Sequence, residues 1–176
     1  MRGFFEPVDS LLHIVELYCS RCDANCELLL FESYWAKGGT QLQLNLFEEG
    51  KASFDEAYNL LQRAVEKGII TADDDRIAIA CGLKGNGLMA VNKFVEAEDW
   101  YLRAFHMWDT MDDNVFEDKQ LFVSNFSSEK FITTDRMIQK SNIAVCLLHQ
   151  NKLYEAEELV LHSLKERTDL ESFQYV

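Results

Sequence analysis

Apolar residues recur along this chain at the spacing of amphipathic helices. In the stretch 54–67 (FDEAYNLLQRAVEK), Phe54, Ala57, Tyr58, Leu61, Ala64 and Val65 fall at i, i+3, i+4, i+7, i+10 and i+11, with charged or amide residues between them. The stretch 94–108 (FVEAEDWYLRAFHMW) has the same shape, with Phe94, Ala97, Tyr101, Ala104, Phe105 and Trp108 on one face. A third copy runs over 153–164 (LYEAEELVLHSL), with Leu153, Ala156, Leu159, Val160 and Leu164. Each copy opens in the same order: an apolar residue, one further residue, an acidic residue, alanine, then a hydrophobic heptad. Three matching helices imply an internal repeat.

The phase of the helix pairs can be read in the second and third copies. Small, large, small, large and small residues occupy Gly85, Leu88, Ala97, Tyr101 and Ala104; the same offsets give Ala144, Leu147, Ala156, Val160 and Ser163. Small residues let the two helices of a hairpin cross closely, and large ones fill the opposite holes. This pattern resembles the tetratricopeptide repeat family, whose period is about 34 residues. Aligned on Ala57, Ala97 and Ala156, the copies stand 40 and 59 residues apart, so the excess is assigned to loops. The family's usual tryptophan and terminal proline are absent, with Cys81 and Asp109 in their places in the second copy.

The resemblance implies an all-α, right-handed helix-hairpin solenoid of about three repeats in a single domain over 1–176. Its parts are an N-terminal helix at 8–31, a first repeat at 32–68, a second at 78–111, an insertion at 112–136 and a third repeat at 137–170. The first copy is expected to have a long turn around Glu49-Gly50-Lys51-Ala52-Ser53, and its first helix is expected near 28–48, with Gly38-Gly39 as the place for a break. In this family the first helix of each hairpin lines a concave surface that binds peptides. The resemblance therefore implies a groove formed by Ile79, Leu83, Asn86 and Met89 with Ile138, Asn142, Val145 and His149. Chaperone-binding members hold a terminal carboxylate with lysine, arginine and asparagine. Gly82, Ile138 and Asn142 stand where such a clamp is expected, which disfavours that ligand.

Composition narrows the picture. The 176 residues are 48% hydrophobic with one proline and eight glycines, enough for a core and too few turn residues for an all-β domain. Lysine and arginine total 17 against 30 acidic residues, a net charge of -13, which opposes binding to a phosphate backbone. The apolar runs are far shorter than the roughly 18 residues of a membrane span, and no secretory leader is visible. Five cysteines, an odd number, do not make a disulfide framework. The expected setting is intracellular, cytoplasmic or nuclear, with neither nucleic acid nor membrane as partner.

Two groups suggest chemistry. Cys19, Cys22 and Cys26 contain a zinc half-site spacing, yet on a continuous helix they fall on one apolar stripe with no fourth ligand nearby, so core packing is the expected role. Asp73-Asp74-Asp75 and Asp112-Asp113 suit Mg²⁺ ligation or helix capping, and without a phosphate cradle capping is preferred. The four histidines are isolated in sequence. The expectation is a non-enzymatic interaction module or scaffold without cofactor or metal, binding a neutral, apolar or basic protein segment. The alternative is a structural segment of a larger helical-repeat protein or a self-associating subunit, with a Mg²⁺-dependent helical enzyme more distant.

Overall fold

The computed structural model describes residues 6–21, 26–111 and 128–173. Among these the chain forms seven α-helices and no strand: α1 (Glu6–Arg21), α2 (Glu27–Gln43), α3 (Phe47–Glu66), α4 (Asp75–Ala90), α5 (Phe94–Thr110), α6 (Ser128–His149) and α7 (Leu153–Phe173). Each helix packs chiefly on its neighbours in sequence, and α2 also reaches α4.

The expected single helix at 8–31 is two helices. The sequence between them contains Asp23 and Asn25, residue types that favour caps and turns over helix interiors. α1 lies on α2 through buried Leu12 and Val15, a Lys37–Asp9 ion pair at 2.9 Å and a hydrogen bond from the Tyr34 hydroxyl to Glu16 at 3.3 Å. A disulfide joins Cys19 to Cys26. The reading of these two as packed free thiols is therefore corrected: the helix break turns Cys26 back towards α1. Cys22 lies outside the described residues.

Three short turns close three hairpins in the same way. Asn45, Asn92 and Asn151 adopt φ of 61°, 62° and 62°, the left-handed region that asparagine tolerates better than most residues. The N–H of each donates to the carbonyl three residues back (Leu42, Met89, Leu148) at 3.0 Å. The next N–H (Leu46, Lys93, Lys152) donates five residues back, to Gln41, Leu88 and Leu147, at 2.9 Å. This is a Schellman closure, which satisfies the last carbonyls of one helix and folds the next back upon it.

These turns correct the phase of the first hairpin. It closes at 44–46, not around 49–53, and α3 runs unbroken through Gly50. Gly50 donates to Leu46 as Ala97 does to Lys93 and Ala156 to Lys152, so Gly50, not Ala57, is the counterpart of those alanines. α2 likewise passes through Gly38-Gly39 without a break. Gly38 is needed for contact: a β-carbon there would lie 2.6 Å from the ring of Phe54.

The core is continuous along the stack. Phe31, Phe54, Leu61 and Ile77 fill the region between α2, α3 and α4, while Leu88, Tyr101, Cys146 and Ala156 fill that between α4, α5, α6 and α7. Trp100 borders both. Residues 128–136, assigned to an insertion, belong to α6. Apolar periodicity misses this turn because the α5–α6 contact is partly ionic: Arg136 pairs with Asp109 at 2.6 Å, and Arg136 and Lys140 stand 5.9 and 5.4 Å from the Phe105 ring centre. The remainder of that insertion, 112–127, lies outside the described residues.

Candidate functional site

Two reversals of direction separate α2 from α4, so the two run the same way, with a groove between them. It encloses about 500 Å³. Trp35, Gly39 and Leu42 line it from α2, Phe47 and Phe54 from α3, and Leu83, Asn86, Met89 and Ala90 from α4. The helical spacing explains the shared face: 35, 39 and 42 on α2, and 83, 86 and 90 on α4, each lie one turn apart.

One polar side chain is fixed in this apolar wall. The Tyr101 hydroxyl donates to Asn86 Oδ1 at 2.8 Å. Tyr101 itself is wholly buried, and burial holds its hydroxyl protonated well above the usual tyrosine range. Lys84, on the same helix, is turned away. It bonds Asp55 at 2.7 Å and stands 4.5 Å from the Trp100 ring centre and 5.0 Å from that of Tyr58.

The far end of this face, towards the N-termini of α2 and α4, is acidic. Asp74 caps α4, accepting from the Arg76 N–H at 3.1 Å, and takes both Nε and Nη2 of Arg76 at 2.7 and 2.8 Å. Burial pulls the Asp74 carboxyl up, but the bonds from Arg76 outweigh it and hold the group below its usual range. Asp75 is raised by burial and by the Asp74 charge beside it. Glu32 on α2 is raised by burial, partly offset by Arg76. Asp73-Asp74-Asp75 thus serves as a helix start, the capping role read from sequence. Asp112-Asp113 lies outside the described residues.

Of the residues expected in the groove, Leu83, Asn86 and Met89 line it. Ile79 is half-buried against Trp108 and the main core. The expected third-repeat residues do not join them. Ile138 and Val145 are exposed on α6, Asn142 is half-buried, and the His149 ring stacks flat on Phe94 with centres 3.9 Å apart. Sequence reasoning missed the whole α2 wall. At the 47-residue offset between Asn45 and Asn92, Gly39 corresponds to Asn86 and Leu42 to Met89. The sequence signal is weak: Asn45 stands between Leu44 and Leu46, and it is the backbone that marks it as the counterpart of Asn92.

Among the described residues no three His, Cys, Asp or Glu side chains gather as a metal site, and none of the helices is long and apolar enough to cross a membrane. The free thiols Cys81 and Cys146 are buried, and burial pushes each up to about 11. A scan against models of known protein families and a search of curated proteins both find no match.

Proposed function

We propose that this chain is a non-enzymatic protein-interaction module: a right-handed helix-hairpin solenoid of tetratricopeptide type whose concave groove takes an apolar segment of a partner protein. The repeated turn closure supports the solenoid reading. The observation that carries the binding reading is the groove between α2 and α4, apolar on three sides, with Asn86 fixed in its wall by the Tyr101 hydroxyl. All of the lining residues stand on helices, which keeps the surface preformed and lowers the ordering cost of binding. Buried Cys81 and Cys146 agree with an intracellular setting, whereas the Cys19–Cys26 bond needs oxidising conditions to form.

The test fills the groove without disturbing the core. A β-carbon on Gly39 meets nothing within 4 Å, so Gly39→Leu, paired with Gly39→Phe as a second blocking variant, should fold and occlude the site while the Tyr101–Asn86 bond stays intact. Affinity capture from cell extract should recover a protein with the native chain and lose it with each variant, at unchanged helical circular dichroism. Equal recovery by all three would remove the groove from consideration.

A second reading rests on α7. Leu153, Tyr154, Val160, Leu161 and Leu164 are exposed there, Tyr154 at 89%. Such a surface on a terminal hairpin suits stacking on a further repeat or on a second copy. Light scattering over a concentration series separates this from a monomeric adaptor.

A further inference from the structure

The three turn asparagines give the groove residues counterparts one repeat on. At the offset from Asn45 to Asn92, Trp35, Phe47 and Phe54 correspond to Gly82, Phe94 and Tyr101. At the offset from Asn92 to Asn151, Leu83 and Ala90 correspond to Asn142 and His149. α6 runs opposite to α5, with Arg136 paired to Asp109 near one end and Gln150 bonded to Glu98 near the other, each at 2.6 Å. It therefore lies beside α4 in the direction in which α4 lies beside α2, and the counterparts face a second groove.

This second groove differs from the first in two ways. Its mouth is closed. Phe47 and Ala90 both line the first groove, where the small Ala90 leaves the Phe47 ring exposed. In the second, the His149 ring lies flat on Phe94 with centres 3.9 Å apart. The wall is also more polar. Gly82 has no side chain to stand where Trp35 does, and the Gln139 amide from α6 takes that space, 3.0 Å from where a β-carbon would lie. Tyr101 stands in place of Phe54, with its hydroxyl on Asn86, and Asn142 in place of Leu83.

Gln139 is 5% exposed, and no donor among the described residues reaches its buried Oε1. A buried acceptor without a partner is costly, and an N–H or O–H brought by a ligand relieves it. None of the counterparts is a carboxylate, so a neutral donor suits the place better than a cation buried without a counter-ion.

Resting on the reading of the first groove as a binding surface, we infer that α4, α5 and α6 form a second subsite for the same partner segment, which takes a neutral hydrogen-bond donor: the amide of Asn or Gln, or the hydroxyl of Ser or Thr. The donor meets Gln139 Oε1, and the His149 ring leaves Phe94 to admit it. α4 separates the two subsites, so they stand about one helix diameter apart, roughly 10–12 Å. An extended segment covers that distance in three or four residues at about 3.3 Å each.

The test uses the full chain as bait for a phage-displayed library of random 15-residue peptides, with the selected sequences then made as fluorescein-labelled synthetic peptides. Those that Gly39→Leu and Gly39→Phe no longer bind report on the first groove. They should carry an apolar residue with Asn, Gln, Ser or Thr three or four positions away. Gln139→Met keeps the length of the side chain and removes the acceptor; Gln139→Leu is a second variant, and circular dichroism checks that both fold. Each should bind these peptides about tenfold more weakly, because the peptide's donor is left buried without a partner. His149→Ala should bind them about threefold more tightly, since no ring stack has to open, an outcome that a merely structural His149 would not give. Peptides without a neutral donor at that spacing, or affinities unchanged in the folded Gln139 variants or in His149→Ala, overturn the second subsite and leave the first groove standing. Failure to select any peptide that the Gly39 variants lose overturns the groove and the inference together.

Discussion

Gly85 faces the ring of Tyr101 so closely that a β-carbon on it would sit 2.5 Å from Cε1. Tyr101 cannot retreat, being fully buried and tethered to Asn86. In the first hairpin Gly38 meets Phe54 in the same way, at 2.6 Å, whereas in the third the same two positions hold Ala144 and the smaller, exposed Val160. Alanine normally favours a helix over glycine by about 1 kcal/mol, but overpacking a rigid contact costs about 1–3 kcal/mol or more. Gly85→Ala should therefore lower stability by about 1–2 kcal/mol in urea unfolding. Gly39→Ala, with open space around it, should raise stability by up to about 1 kcal/mol. Stabilisation by both substitutions would mean the helices of the second hairpin do not cross at Gly85.

That contact also shows where the sequence was legible. Gly85, Ala97 and Tyr101 could be placed because the same order of small and large residues recurs at Ala144, Ala156 and Val160. In the first hairpin the turn residue Asn45 is flanked by Leu44 and Leu46 and has no glycine or proline, so it reads as helix. The apolar stripe does not help, since a seven-residue shift rotates a helix by only about 20° and leaves the same face apolar. Gly50 and Ala57 are both small and seven apart, so either fits the pattern. Only the backbone of Asn45 settles the register, and with it the α2 wall of the groove. Polar contacts were illegible for a different reason: which carboxylates stay unpaired depends on helices brought together from distant parts of the chain.

Lys84 holds three helices at one point. Its ammonium reaches Asp55 on α3 and stands over Tyr58 and Trp100, while the Arg103 guanidinium is 4.6 Å from the opposite partner's ring centre, that of Trp100. Burial raises the Asp55 carboxyl, but bonds from Lys51 and Lys84 overcome this and lower it overall. Lys84→Met keeps the stem and removes the charge. It should cost about 1–2 kcal/mol, since Lys51 remains to pair with Asp55 while the cation–π contacts vanish. A double-mutant cycle with Trp100→Leu should give a coupling energy of about 0.5–1 kcal/mol. Zero coupling would show that the ring and the ammonium merely share a neighbourhood.

The Cys19–Cys26 bond closes a short loop, with a sequence separation of 7, between α1 and the start of α2. Chain-entropy reasoning assigns a loop of that length about 2 kcal/mol. Among the described residues the rest of the α1 contact is small: two buried side chains, one ion pair and one long hydrogen bond. Reduction should therefore loosen α1 and spare the hairpins. Amide hydrogen exchange with and without dithiothreitol should show faster exchange in 9–21 and little change in 75–110. Equal protection of α1 in both conditions would mean its apolar contacts suffice alone.

Asp135 makes the stability of the fold depend on pH. Burial raises its carboxyl to about 6, against about 3.9 in an unfolded chain. Between those values the folded state holds a proton that the unfolded state has lost, so this group adds stability as pH falls from about 6 to about 4 and adds nothing further below. Glu32 and Asp75, also raised, act in the same direction. Glu27, Asp55 and Asp74 are lowered, so the stability they contribute is present above their unfolded-state values and is lost as pH falls through their lowered folded-state ones. At pH 7 the Asp135 charge is a net cost, so Asp135→Asn should be more stable than the native chain by about 1–2 kcal/mol, partial solvation having reduced the full shift. The advantage should shrink towards pH 4.5 as the native carboxyl takes up its proton. Urea unfolding at pH 7, 6, 5 and 4.5 measures this directly. A variant no more stable than the native chain at pH 7 would show that the carboxylate already has a partner.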